Sequence, residues 1–224
     1  MLQNDSRQKS VLEYYVLCSK LKDLIRSGWK KWKVDRERLE SVAEHIFGVQ
    51  SLAIAMYSQY EYDIDIYKVI FMLAVHELEE IYIGDLTWWD TTASYKLEQG
   101  HKAIEEILSE LFYKEQIKDL ILEFDERKTK EALFAYHCDK LECDLQCKLY
   151  DEEGCVDMNN QSDNPVFYDE KVQKIISNGD SSWSSMWFEF DRSKYEGDRN
   201  FIEILEYAKN NDIGLKKKKT ISIS

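Results

Sequence analysis

With 224 residues, 44% of them hydrophobic and 13% aromatic, the chain holds enough apolar material for one sizeable packed domain and is marginal for two. A formal net charge of −13 argues against nucleic acid or an anionic membrane as the main partner, and no run approaches the roughly 20 apolar residues of a spanning helix. One proline and eight glycines leave few breaks, so the predicted fold class is all-α.

No apolar core follows the polar start Met-Leu-Gln-Asn-Asp-Ser-Arg, so no secretory leader is expected. Five cysteines, an odd count without secretory context, read as reduced thiols in a cytoplasm. Residues 9–27 predict an amphipathic helix through Val11, Leu12, Tyr15, Cys18, Leu21, Leu24 and Ile25, ended by Arg26-Ser-Gly-Trp29. A basic, aromatic connector follows, with Lys30, Lys31, Trp32 and Lys33. Ser41 and Glu44 match a capping box that opens a second helix, whose core stripe is Val42, Ile46, Val49, Leu52, Ala53 and Met56. Tyr60 to Asp65 is a turn.

The next helix organises the chain. Val69, Ile70, Met72, Leu73, Val75, Leu78 and Ile81 give it a wide apolar surface, yet it carries His76, Glu77, Glu79 and Glu80 before Gly84 and Asp85. His76 and Glu80 are four apart and expected to stack on one helical face, with Glu77 about 100° round from His76. Gly84 is expected in the left-handed conformation that ends a helix. Charge at a buried helix end is costly unless an opposite charge compensates it, and a divalent cation is the economical compensation.

Beyond a loop containing Trp88, Trp89 and Asp90, helices are predicted over 94–113, 115–124 and 129–149. A polar loop follows over 151–165, then final helices over 167–178 and 198–210, flanking an aromatic segment of undetermined form (Trp183, Trp187, Phe188, Phe190). The basic tail 214–224 is expected to fray. Glu79 is assigned to solvent, and His101 and His137 to surface or packing. Cys143 and Cys147, one turn apart without a Cys-x-x-Cys spacing, are read as packing rather than zinc ligands. Trp88, Trp89, Trp183 and Trp187 are read as core or interface before pocket wall.

Three strings form one pattern: Glu40-Ser-Val-Ala-Glu-His45, His76-Glu77-Leu-Glu-Glu80-Ile-Tyr-Ile-Gly84-Asp85, and Asp139-Lys-Leu-Glu142. Together, over roughly residues 10–150, they resemble the HD-domain metal-dependent phosphohydrolases, in particular the YfbR and HDDC2-like 5'-deoxynucleotidase branch. The resemblance implies a single HD-type helical bundle in which His45, His76, Glu77 and Asp139 hold one divalent ion. Glu77 departs from the pattern, which has Asp there, and a glutamate is one methylene longer. Two imidazoles and two carboxylates suit Mn, Co, Fe, Zn or Ni, with Mg also considered.

The same resemblance implies hydrolysis of a nucleoside 5'-monophosphate, most readily a deoxynucleotide, by a homodimer. Glu80 corresponds to the acid/base carboxylate and Asp85 to the residue facing the sugar and nucleophile. Arg26 or the Lys30/Lys31 pair is expected to grip phosphate, and Trp29 to pack on the deoxyribose. Two other readings stay open: a metal- or nucleotide-binding module without hydrolysis, and a metal-free helical interaction protein.

Overall fold

The computed structural model describes residues 2–87, 89–179 and 182–214, with side chains from Ser6 onward. Trp88 and the tail 215–224 lie outside the described residues. Gly214, where the tail is predicted to start fraying, instead donates its backbone N–H to Glu152 Oε2 at 2.8 Å.

Among the described residues there is no sheet, and eleven α-helices follow one another. α1 (Leu2–Ser19) gives way at residue 20 to a turn of 3-10 helix, and α2 (Ser27–Lys31) is short. The predicted 9–27 helix is therefore two elements. Between them Ile25 forms an isolated antiparallel bridge to Ser41. Arg26 N–H donates to Glu40 C=O at 3.1 Å, and Val42 N–H to Leu24 C=O at 2.8 Å. These bonds draw the chain out of helix and fix the register of the connector.

α3 (Val42–Gln59) starts at the predicted capping box, with both reciprocal Ser41–Glu44 bonds formed. α4 (Ile66–Val75) is capped by Asp65, which accepts from Tyr67 and Lys68 N–H. It ends at Val75; residues 76–79 form a tight turn, and α5 (Glu80–Ile83) is a separate helix. The single helix predicted through His76 and Glu80 is thus broken. His76 Nδ1 lies 2.8 Å from the Leu73 carbonyl, the acceptor that an i−4 ladder would offer to the Glu77 N–H. This side-chain competition tightens the backbone into i→i+3 bonds such as Leu78 N–H to Val75 C=O.

α6 (Ala93–Ile107), α7 (Lys114–Glu126) and α8 (Lys130–Glu152) follow; α6 ends six residues before the predicted limit. The aromatic segment is α10 (Trp183–Asp191), between α9 (Glu170–Ser177) and α11 (Arg199–Asn210). α8 packs on α3, α4, α7, α10 and α11. One core gathers Val49, Met72, Leu73, Cys138, Leu141 and Phe201, and a second is aromatic, around Trp29, Trp32, Tyr150, Trp183 and Phe190. The N-terminal ends of α3, α6 and α8 carry hydroxyl caps from Ser41, Thr92 and Thr129, each accepting a backbone N–H.

Candidate metal centre

The packing of α3, α4 and α8 brings together residues far apart in sequence. His45 comes from α3, His76 and Glu77 from the turn after α4, and Asp139 from α8. All four are buried, and one donor atom from each lies within 4.8 Å of the others. His45 Nε2 is 3.0 Å from Asp139 Oδ1; His76 Nε2 is 3.9 Å from the same oxygen and 3.8 Å from Glu77 Oε1. Glu77, one methylene longer than the residue expected there, still sets its oxygen among the other donors.

The donor set fits a divalent ion. A carbonyl only accepts, so the Leu73 bond makes Nδ1 a protonated nitrogen of His76 and leaves Nε2 turned toward Glu77 and Asp139. That Nε2 is buried without any hydrogen-bond partner, which is costly unless something binds it. Two imidazoles with two carboxylates match a borderline cation. Burial opposes ionisation of Asp139, but Lys140, His45 and His76 hold it well below the usual carboxylate range. Glu77 is likewise brought to about 2 by His76, Lys96 and Arg26 against the cost of burial.

A second layer orients the first. His45 Nδ1 is 2.6 Å from Glu142 Oε2, so the ring is held on both sides. Burial and Arg26 disfavour a charged His45, yet Glu142 and Asp139 outweigh them and raise it to about 9. Glu142 fits because residue 48 is glycine: a Cβ there would stand 2.2 Å from Glu142 Oε1. Glu40, His45 and Glu142 also approach one another closely, and hydrogen bonds account for that set. Trp29 Nε1–H donates to Glu40 Oε2 at 2.9 Å, and burial beside Glu142 raises Glu40 to about 7.

Around the centre is a cavity of about 570 Å³. Arg26 and Asp85 line it; Arg26 Nη1 is 3.6 Å from both Glu77 Oε1 and Asp85 Oδ1, and Asp85 Oδ2 accepts from the Ser27 N–H. Trp29 lines it from the aromatic core. Lys30 does not: it is exposed, and Lys31, about 100° further round α2, lines the cavity and pairs with Asp90 at 2.6 Å. Of the Lys30/Lys31 pair, the cavity is lined by Lys31.

Glu80 is buried and is not among the residues that line the cavity; its Oε1 is 3.3 Å from Lys96 Nζ, which does line it, and its Oε2 has no hydrogen-bond partner. Burial and the neighbouring Glu77 and Asp85 carboxylates push its pKa well above the usual carboxylate range. Glu79, expected in solvent, turns inward because the chain leaves the helical path at His76. It lines the cavity against Gly100, and burial beside Glu77 raises it to about 8.

Glu142, Lys96 and Glu79 are thus site residues that sequence reasoning missed. Glu142 had a signal, since it closes the Asp139-Lys-Leu-Glu string; Lys96 is one lysine among charges on an amphipathic helix. His101, paired with Asp125 at 2.9 Å, sits at the cavity edge, while His137 packs against Tyr195 and Phe201. Cys143 and Cys147 are free thiols.

Residues 18–179 match the HD domain family. A 5'-deoxynucleotidase HDDC2 of Dictyostelium discoideum is 34% identical over 150 residues, spanning 63% of this chain and 78% of its own length. The protein of the same name from Xenopus laevis is 29% identical over 150 residues, 66% and 72% of the two chains. Among solved structures, a conserved hypothetical protein from Pyrococcus furiosus superposes with a TM-score of 0.64 at 25% identity, covering 89% of this chain and 99% of that one. The His45, His76–Glu77 and Asp139 cluster lies wholly inside the matched span, and the chain belongs to the HD domain family.

Proposed function

We propose that the chain is a metal-dependent phosphoric monoester hydrolase that releases phosphate from (deoxy)nucleoside 5'-monophosphates. The observation that carries this reading is the convergence of His45, His76, Glu77 and Asp139 on one point, with His76 Nε2 left without a partner. The similar proteins of Dictyostelium discoideum and Xenopus laevis, named as 5'-deoxynucleotidases, supply the substrate class.

The four residues would hold one divalent ion, which when bound lowers the pKa of a coordinated water and neutralises phosphoryl charge. The surrounding residues position the substrate. Arg26, at 3.6 Å from each of its two carboxylate neighbours, keeps N–H donors for phosphoryl oxygens. Lys96, reaching in from α6, adds a second cation. Trp29, held edge-on to Tyr150 and by its bond to Glu40, offers a rigid wall for the sugar. Asp85, fixed by the Ser27 N–H, orients the attacking water beside the sugar. Glu80 holds a proton on its free oxygen and passes it to the leaving 5'-oxygen.

The same reading takes the protein as a homodimer in the cytoplasm. The five free thiols support a reducing compartment. An outer face on α3 and α4 with no charge from Ile46 to Tyr60 and only the paired Lys68 on α4 supports self-association. No helix among the described residues is long and apolar enough to cross a membrane.

The test is phosphate release from dAMP, dCMP, dGMP, dTMP and dUMP with Mn or Co. Release is expected, and Glu80→Gln should lower kcat about 10²- to 10⁴-fold while metal content is retained. No release with any metal would leave a metal-binding module.

A further inference from the structure

Where α7 gives way to α8 the cavity has a flat, cationic corner that the chemistry above does not use. Arg127 and Tyr136 both line it. Arg127 is the C-cap of α7 and lies in the left-handed region at φ 53°, its N–H donating to Glu123 C=O at 3.1 Å. Glycine commonly takes such a place, because other residues rarely adopt this backbone. An arginine kept there points to a use for its side chain.

The guanidinium carbon stands over the Tyr136 ring, 4.0 Å from its centre, close enough for the two planes to stack. The acidic neighbours of Arg127 are committed elsewhere, Asp125 to His101 at 2.9 Å and Glu126 to Lys128 at 3.3 Å. Among the described residues the guanidinium makes no ion pair and no hydrogen bond, although the chain carries a net charge of −13. Arg127 is exposed, so ligand can reach it from the cavity. Tyr136 is half-buried, three residues before Asp139 on the same face of α8 and about 4.5 Å along it. Lys140 Nζ, paired with Asp139 at 2.7 Å, stands 5.5 Å from the centre of the same ring. The corner thus lies about one helical turn from the metal centre.

We propose that the outer face of the Arg127 guanidinium, backed by Tyr136, is the platform on which the base of the nucleotide stacks. The proposal rests on the nucleotidase reading and places the part of the substrate which that reading leaves open. A guanidinium is planar and more weakly hydrated than an ammonium, so covering it with a heterocycle forfeits little water, and nucleobases stack on arginine planes. Every base has a π-face, so a platform of this kind tolerates all of them. A second phosphate would instead take the N–H edges of Arg127, and charge alone would serve it.

The experiment compares dAMP and dCMP with deoxyribose 5-phosphate, which has the same sugar and phosphate without a base. It reads kcat/KM with Mn or Co, and Kd by calorimetry. Wild type should bind both nucleotides about tenfold more tightly than the sugar phosphate. Arg127→Gly suits the left-handed backbone, and Arg127→Lys keeps the charge without the plane. Each should bring the ratio close to one, with the loss falling on the nucleotides. Tyr136→Phe keeps the ring and should keep the ratio. Equal affinity for nucleotide and sugar phosphate in the wild type, or a ratio that Arg127→Gly leaves intact, overturns the platform. A ratio that survives in Arg127→Lys, or a sugar phosphate weakened as much as the nucleotides, overturns it in favour of a phosphate contact. If no compound releases phosphate with any metal, hydrolysis is wrong, and the binding ratio alone decides whether Arg127 carries the base.

Discussion

His45 shows how one residue can be set by a neighbour with no contact to substrate. Its Nε2 faces Asp139 and its Nδ1 is taken by Glu142, which reaches it only because Gly48 has no side chain. Glu142→Gln keeps the shape and removes the charge; Gly48→Ala pushes the carboxylate aside. Both should weaken metal binding about 10- to 100-fold by calorimetry while the far-ultraviolet helix signal stays intact. Equal affinity in either variant would reduce the Glu142 contact to packing. That His45, His76, Glu77 and Asp139 belong together was legible in the sequence because they sit in strings of fixed spacing. The inward turn of Glu79 was not, since it follows from His76 bonding to the Leu73 carbonyl, a choice that apolar periodicity does not register.

Helices announced by their caps were read well. Ser41 with Glu44 marks the start of α3, because a hydroxyl accepting a backbone N–H is a local matter. α10 was left undetermined since its aromatics face buried surfaces on several sides and show no single stripe. α11 depends on Asp198, which caps it through the Asn200 N–H, accepts from Tyr62 Oη at 3.1 Å and faces His137 Nδ1 at 3.9 Å. Burial opposes its charge, but His137, Tyr62 and the backbone hold it below its ordinary value of 3.8. A carboxyl depressed in the folded state stabilises above its unfolded pKa and loses that contribution as pH falls through the folded one. The wild type should therefore lose stability below pH 3.8. Asp198→Asn, which still caps but cannot ionise, should lose less between pH 5 and pH 3 in urea melts. Asp198→Ala should cost about 1 kcal/mol at neutral pH.

At the scale of the whole molecule, charge decides which surfaces can meet. From Ile46 to Tyr60 no residue is charged, and in α4 only Lys68 is, paired with Glu123. Phe47, Ile54, Tyr67 and Phe71 stand exposed on this face, at 71%, 53%, 85% and 48%. Two copies each carrying −13 would meet with least repulsion through a face without charge, which is the test of the homodimer proposed above. Sedimentation should give a dimer for the wild type and a monomer for Ile54→Glu; a dimer in the variant would move the interface elsewhere.

α8 has a further consequence. One rod carries Asp139 of the candidate metal centre, the bracing Glu142, the cavity side of Cys143 and Cys147, and Leu141 of the main core. Occupancy of the centre is therefore tied to the cooperativity of the entire polypeptide. A hundredfold excess of cation over its Kd should add about 2.7 kcal/mol. That gain should appear as one sharper, later calorimetric peak, with no separate early transition for a lobe that melts alone.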